Sequence, residues 1–202
     1  MKNLTFHKTE QWAVDHTHSR ISFKIRHLMI AQIWGVFKVF DGTISITNED
    51  ITSTSIDMWI DIASIDTGNA ERDEQLRGPE FFNTAFHPRM RFVAISVGKQ
   101  DEEGNHRLEG KLTINGITKV VVLNLRFGGV MTDDSGTVKS GFQVDGVINR
   151  TDWGLIFKSP LLTGGIMAGE EVTVSCEMEL TKMKSGPIES SWSHNGDSRN
   201  VF

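Results

Sequence analysis

Three short stretches of this chain bring together residue types that can do chemistry. The first is Trp12-Ala-Val-Asp15-His16-Thr-His18-Ser19. On a strand, His16 and His18 would share one face, and two imidazoles make half of a zinc or iron site. Asp15, His27 or His87 would have to supply the third ligand, and no HExxH or comparable spacing accompanies them. The alternative is that these residues hydrogen-bond around the entrance of the fold, Asp15 and Ser19 meeting backbone donors. That alternative is the expectation, and no metal is assigned. The second stretch is Asn149-Arg150-Thr-Asp152-Trp153-Gly154. Its arginine could hold a phosphate or carboxylate. A structural anchor to Asp152 or to backbone, with Trp153 plugging one end of the core, accounts for it better. The third is Asp66-Thr67-Gly68, the tripeptide of aspartic proteases. It has no second copy, and a turn leading into a helix cap explains it. No Gly-rich phosphate loop, GxSxG elbow or CxxC occurs. The expectation is therefore no catalytic residue and no cofactor.

The elements that must position these residues are almost all strands. Arg107 to Ile114 alternates, with Leu108, Leu112 and Ile114 on one face and Arg107, Glu109, Lys111 and Thr113 on the other. Asn115-Gly116 follows, the pair suited to a type I′ hairpin turn. Beyond it Val121, Leu123, Leu125 and Phe127 share a face. The same pattern sets Ile21, Phe23 and Ile25 inward, then Ile56, Met58, Ile60 and Ile62, then Phe142, Val144 and Ile148, then Val172, Val174, Cys176, Met178 and Leu180. Residues 33–46 and 89–98 are also strand-like. The parity break between Phe37 and Phe40 predicts a bulge near Val39–Asp41. One short helix is expected after an Asn69 cap, with Gly78-Pro79 ending it and one end of the sheet beneath it.

About eight antiparallel strands, each with one apolar face, predict an all-β, eight-stranded barrel with one short helix. A two-sheet sandwich is the competing architecture. A barrel of that size holds its own side chains or one small ligand. Residues 1–10 read as an N-terminal extension, 11–181 as the domain, and 182–202, with five serines and no periodicity, as a flexible tail. The net charge of −5 argues against nucleic acid as a partner. Residues 1–10 have no apolar run of the kind that marks a secretory signal, so a cytoplasmic location is expected. The single cysteine, Cys176, excludes an intramolecular disulfide and any multi-cysteine metal site.

Several of these segments together resemble the YceI-like family. The resemblance is carried in order by Trp12-xx-Asp15-xx-His18-Ser19 with Phe23 and His27, then Gly35-Val-Phe37-xx-Phe40-Asp-Gly42. Ser64-Ile65-Asp66-Thr67-Gly68, Arg72-Asp73-xx-Leu76 and Phe81-Phe82 follow. His87-Pro88-xxx-Phe92, Gly110-xx-Thr113-Ile-Asn115-Gly116 and Arg150-xx-Trp153-Gly154 complete it. It implies a lipocalin-like barrel with a long apolar cavity, binding a polyisoprenoid, quinone-like lipid or fatty amide. Under it the expected ligand wall is Phe23, Ile25, Ile56, Met58, Ile60, Phe92, Leu108, Leu112, Leu125, Phe127, Phe142, Val144 and Met178. His18, His27 and Arg150 are the candidates to meet the head group. The expected partner is an isoprenoid or other long-chain lipid, for transport or storage, with a homodimer left open. Two other functions remain: an enzyme acting through the His16/His18 region, or a stress-related scaffold whose barrel is filled by its own side chains.

Overall fold

A segment that is apolar at every second position can bury one face only as a strand, and such faces hide together when the sheet closes on itself. The computed structural model, which describes residues 8–27, 30–156 and 168–184, shows this outcome. Its strands are β1 (Thr9–Val14), β2 (Arg20–His27), β3 (Ala31–Phe37), β4 (Phe40–Thr47), β5 (Asp50–Asp61), β6 (Ile65–Asp66), β7 (Arg89–Gln100), β8 (Asn105–Ile114), β9 (Ile117–Thr132), β10 (Val138–Asn149) and β11 (Ala168–Lys182). The helix is α1 (Ala70–Arg77). The strands form a closed, eight-stranded antiparallel barrel, with β1 pairing back onto β11. Eleven segments make eight barrel strands because three strands are interrupted. β11 pairs with β1 at Leu180 and with β2 at Glu177, so β1 and β2 lie end to end. β3 and β4 run on in the same way, as do β5 and β6.

The expected parity break falls at Lys38 and Val39, between β3 and β4. There Ser64, in the 3₁₀ turn Ile62–Ser64, accepts from Lys38 N–H through its carbonyl and from Val39 N–H through its hydroxyl, at 3.3 and 3.0 Å. The two neighbouring strands therefore kink at the same level. Asn115 and Gly116 both have positive φ, 49° and 73°, between the paired Ile114 and Ile117, as a primed hairpin turn requires. Asn69 caps α1, its side chain accepting from Arg72 N–H at 2.9 Å, and the helix ends at Gly78. β1 begins at Thr9 and β11 runs through Lys182, so both overlap the segments expected to lie outside the domain. Residues 185–202, and with them most of the expected tail, lie outside the described residues.

Trp12, Ile46, Val97 and His106 are buried on the inward face and fill one end of the barrel. His106 is satisfied there by a 2.9 Å hydrogen bond between its Nδ1 and the Gly98 carbonyl. The outer wall carries charge, as in the Arg91–Asp57 pair across β7 and β5 and in the Arg107–Glu109 pair. This pattern, apolar inside and charged outside, is the reverse of a lipid-facing barrel. Among the described residues no helix is long and apolar enough to cross a membrane.

Candidate functional site

The inward residues do not all meet. From the level of Ile44 and Leu180 to the end where α1 lies, the barrel holds about 260 Å³ of open space. Several inward apolar side chains, among them Phe23, Ile56, Val144, Val174 and Met178, are only partly buried even though they point to the barrel centre, because they face this space. Its wall is apolar almost throughout. The exceptions are Ser22, Thr54, Thr67, Arg72, Arg150 and the thiol of Cys176. α1 and the residues after it close one end with Leu76, Phe81 and Phe82. The Phe81 and Phe82 rings meet edge to face at 5.0 Å, and Phe82 in turn touches Phe37 at 6.5 Å.

The two arginines sit at this same end and are held differently. Arg150 is buried, and its guanidinium donates to the carbonyls of Gly169 at 2.8 Å, Ala168 at 3.1 Å and Leu155. It ties the 3₁₀ turn Arg150–Trp153 to the start of β11, the anchor role expected from sequence. Burial lowers its pKa from the ordinary arginine value. Beside it Trp153 is fully buried and donates its indole N–H to the Leu112 carbonyl at 3.2 Å. Arg72 hangs from α1 into the cavity. Its Nε donates to the Thr67 hydroxyl at 2.8 Å and its Nη2 to the Thr67 carbonyl at 2.9 Å. Thr67 is itself fixed by Asp73, which accepts from its N–H and its hydroxyl at 3.0 and 2.6 Å. Asp66-Thr67-Gly68 is thus a turn and cap, with Gly68 at φ 76°.

Of the expected ligand wall, Phe23, Ile25, Ile56, Met58, Ile60, Phe92, Leu108, Leu112, Leu125, Phe142, Val144 and Met178 line the cavity. Phe127 packs on the Phe142 ring at 5.2 Å and does not line it. Of the three head-group candidates, Arg150 lines the cavity, while His18 and His27 do not. His27 ends β2, paired with Ala31 and Ala168. His18 lies in the turn between β1 and β2, its Nδ1 donating to Asp15 at 3.1 Å. Asp15 also accepts from Thr17 N–H, and Ser19 exchanges hydrogen bonds with the Glu179 backbone. Hydrogen bonds of this kind are the expected alternative to a metal, but they lie at the junction of β1 and β2 and away from the cavity. Asp15, His18 and Glu179 are close enough to share a cation, but the Lys139 ammonium already bridges the two carboxylates at 3.2 and 2.6 Å. His16 bonds through Nε2 to the Phe40 carbonyl at 3.0 Å.

The lining residues that sequence reasoning missed include Ile33, Ile44, Thr54, Met90 and Ala168 on the strands, and Arg72 with the cap residues Leu76, Phe81, Phe82 and Leu155. Arg72 and Leu76 are four apart, one face of a helix, which is a usable signal. The other cap residues lie outside helix and strand, where no periodicity marks the inward side.

Comparison with known proteins agrees with this architecture. The chain is 37% identical over 168 residues to a UPF0312 protein of Staphylococcus epidermidis, covering 83% of this chain and 95% of that one. It superposes on the Campylobacter jejuni YceI protein with a TM-score of 0.68 at 29% identity, covering 91% of this chain and all of that one. A polyisoprenoid binding domain from Saccharophagus degradans has the same fold, with a TM-score of 0.61 at 18% identity, covering 84% of this chain and 97% of the other. Residues 12–180 match the model of the YceI-like domain, and the chain belongs to that family.

Proposed function

We propose that the barrel binds a long apolar chain, an isoprenoid or similar amphiphilic lipid, and carries or stores it. The observation that supports this most is the open space of about 260 Å³ inside a wall that is almost wholly apolar, just below the roughly 300–1,000 Å³ of typical ligand pockets. A filled scaffold has no reason to leave such space, because unfilled apolar volume costs packing energy. Each buried methylene contributes about 0.8 kcal/mol, so ten of them gain about 8 kcal/mol, the same order as the cost of association. Few polar contacts are then needed. The polar end of the ligand meets Arg72, whose guanidinium is oriented by Thr67 and has no carboxylate partner among the described residues. The polyisoprenoid-binding description of the Saccharophagus domain, which shares the fold, points the same way.

The test is native mass spectrometry of protein purified without detergent, followed by organic extraction. A co-purified chain lipid, or uptake of added geranylgeraniol, is the expected result. Protein that emerges empty and takes up no geranylgeraniol overturns the reading.

A further inference from the structure

Four glycines face inward from three of the eight barrel strands: Gly35 on β3 and Gly42 on β4, which continues it, Gly110 on β8 and Gly146 on β10. Each lies beneath a large apolar side chain from the adjacent strand. Phe23 covers Gly35, Met58 covers Gly42, Phe92 covers Gly110 and Leu123 covers Gly146. All four covering side chains line the cavity. A Cβ at any of these positions would collide with its covering side chain, and at Gly42 also with backbone, the Asp57 carbonyl at 2.5 Å and the Met58 Cα at 2.9 Å. At Gly35 the obstacle is the Phe23 ring alone, with Cε1 at 2.6 Å from the added atom, and at Gly146 the nearest atom belongs to the Leu123 side chain.

The interior of an eight-stranded barrel is only just wide enough for side chains to fill it. A phenylalanine that stood upright from its strand would cross the bore. It can lie along the wall only where its cross-strand neighbour has no side chain. We propose that Gly35, Gly110, Gly146 and Gly42 are recesses that hold the bore open, and that they set the width of chain the cavity admits. The part of this that concerns ligand width rests on the lipid-binding reading; the part that concerns the open bore does not. An alanine at Gly35 forces the Phe23 ring off the wall. The open space beside it accepts the ring, so the barrel folds but its bore narrows.

Two measurements on Gly35→Ala and Gly146→Ala test this. Xenon uptake, followed by ¹²⁹Xe NMR, reports an open apolar cavity with or without a lipid. Binding of geranylgeraniol reports chain entry. Gly141→Ala serves as the control, since an added Cβ there meets nothing within 4 Å. The expected result is xenon uptake in wild type and Gly141→Ala, clearly weaker uptake in the two recess variants, and geranylgeraniol binding weakened roughly tenfold or more in both. Adding Phe23→Leu to Gly35→Ala should restore uptake and binding, which a merely misfolded variant would not show. Wild-type xenon uptake in both recess variants overturns the inference, as does a wild-type protein that takes up none. Normal xenon behaviour with no geranylgeraniol binding by wild type sinks the lipid reading and leaves the recesses standing.

Discussion

Asp15 shows how a residue that looks like chemistry can belong to architecture. Its carboxylate accepts from His18, Lys139 and the Thr17 N–H, and these donors, His18 foremost, hold its pKa well below the usual carboxylate range. The folded state therefore favours the charged form more than the unfolded chain does. That stability is complete above the ordinary value near 3.8 and is lost as the pH falls through the folded value. Asp15→Asn should melt about 2–4 °C below wild type at pH 7. The gap should narrow as the pH drops from about 4 to 2, and an unchanged gap at pH 2 would show that the charge does not matter. Cys176 makes the opposite point. It faces the cavity, and burial, helped by the charge of Asp145, pushes its thiol up to about 12. Alkylation by iodoacetamide at pH 8 should run roughly a thousandfold slower than for free cysteine, and recover in denaturant. A rate within about tenfold of free cysteine would mean that water and reagent enter the cavity freely.

The β8–β9 hairpin is the element whose sequence spoke most clearly. Gly116 sits at φ 73°, where a β-branched side chain is strained, and an added Cβ would also press on the His87 ring at 3.3 Å. Gly116→Val should cost about 1–3 kcal/mol, read as a shift in denaturant midpoint at unchanged slope. A midpoint that stays put would rule out a primed turn and the register of β8 with β9. The long strands β8 to β11 were legible for the same reason: alternation over ten or more residues leaves one assignment of faces. Shorter elements were not. β6 spans two residues, too few for a period, and exists because Arg77 and the β3 backbone meet Ile65 and Asp66. The end of β11 carries no strand signal in sequence, because Lys182 is polar and followed by no pattern. It pairs with Trp12, and the Met183 N–H reaches the Gln11 carbonyl at 2.8 Å. Backbone pairing of this kind leaves no trace in side-chain periodicity.

At the scale of the whole molecule the question is whether the barrel is filled or open, and Val144 answers it by substitution. It is partly buried, lines the cavity and pairs with Leu125 and Cys176. In a filled core Val144→Trp would overpack and cost about 1–3 kcal/mol. Here the indole enters open space, so delipidated protein should keep its unfolding midpoint within about 1 kcal/mol while losing geranylgeraniol binding. A large loss of stability would show a closed core. The strand faces, the hairpin turn, the capped helix and the all-β class were decided by the sequence alone, because each depends on neighbours a few positions apart. The same local order favoured Arg150 as an anchor over a phosphate or carboxylate site, and hydrogen bonding around Asp15 over a metal site. That the barrel stays open inside, and that Arg72 reaches that space, were decided only by tertiary structure. A solid core and a tunnel need identical inward-facing residues. What distinguishes them is how far the side chains reach across a bore whose width the strand number fixes, and in the inference drawn above four inward glycines keep that bore open by letting large side chains lie against a neighbouring strand.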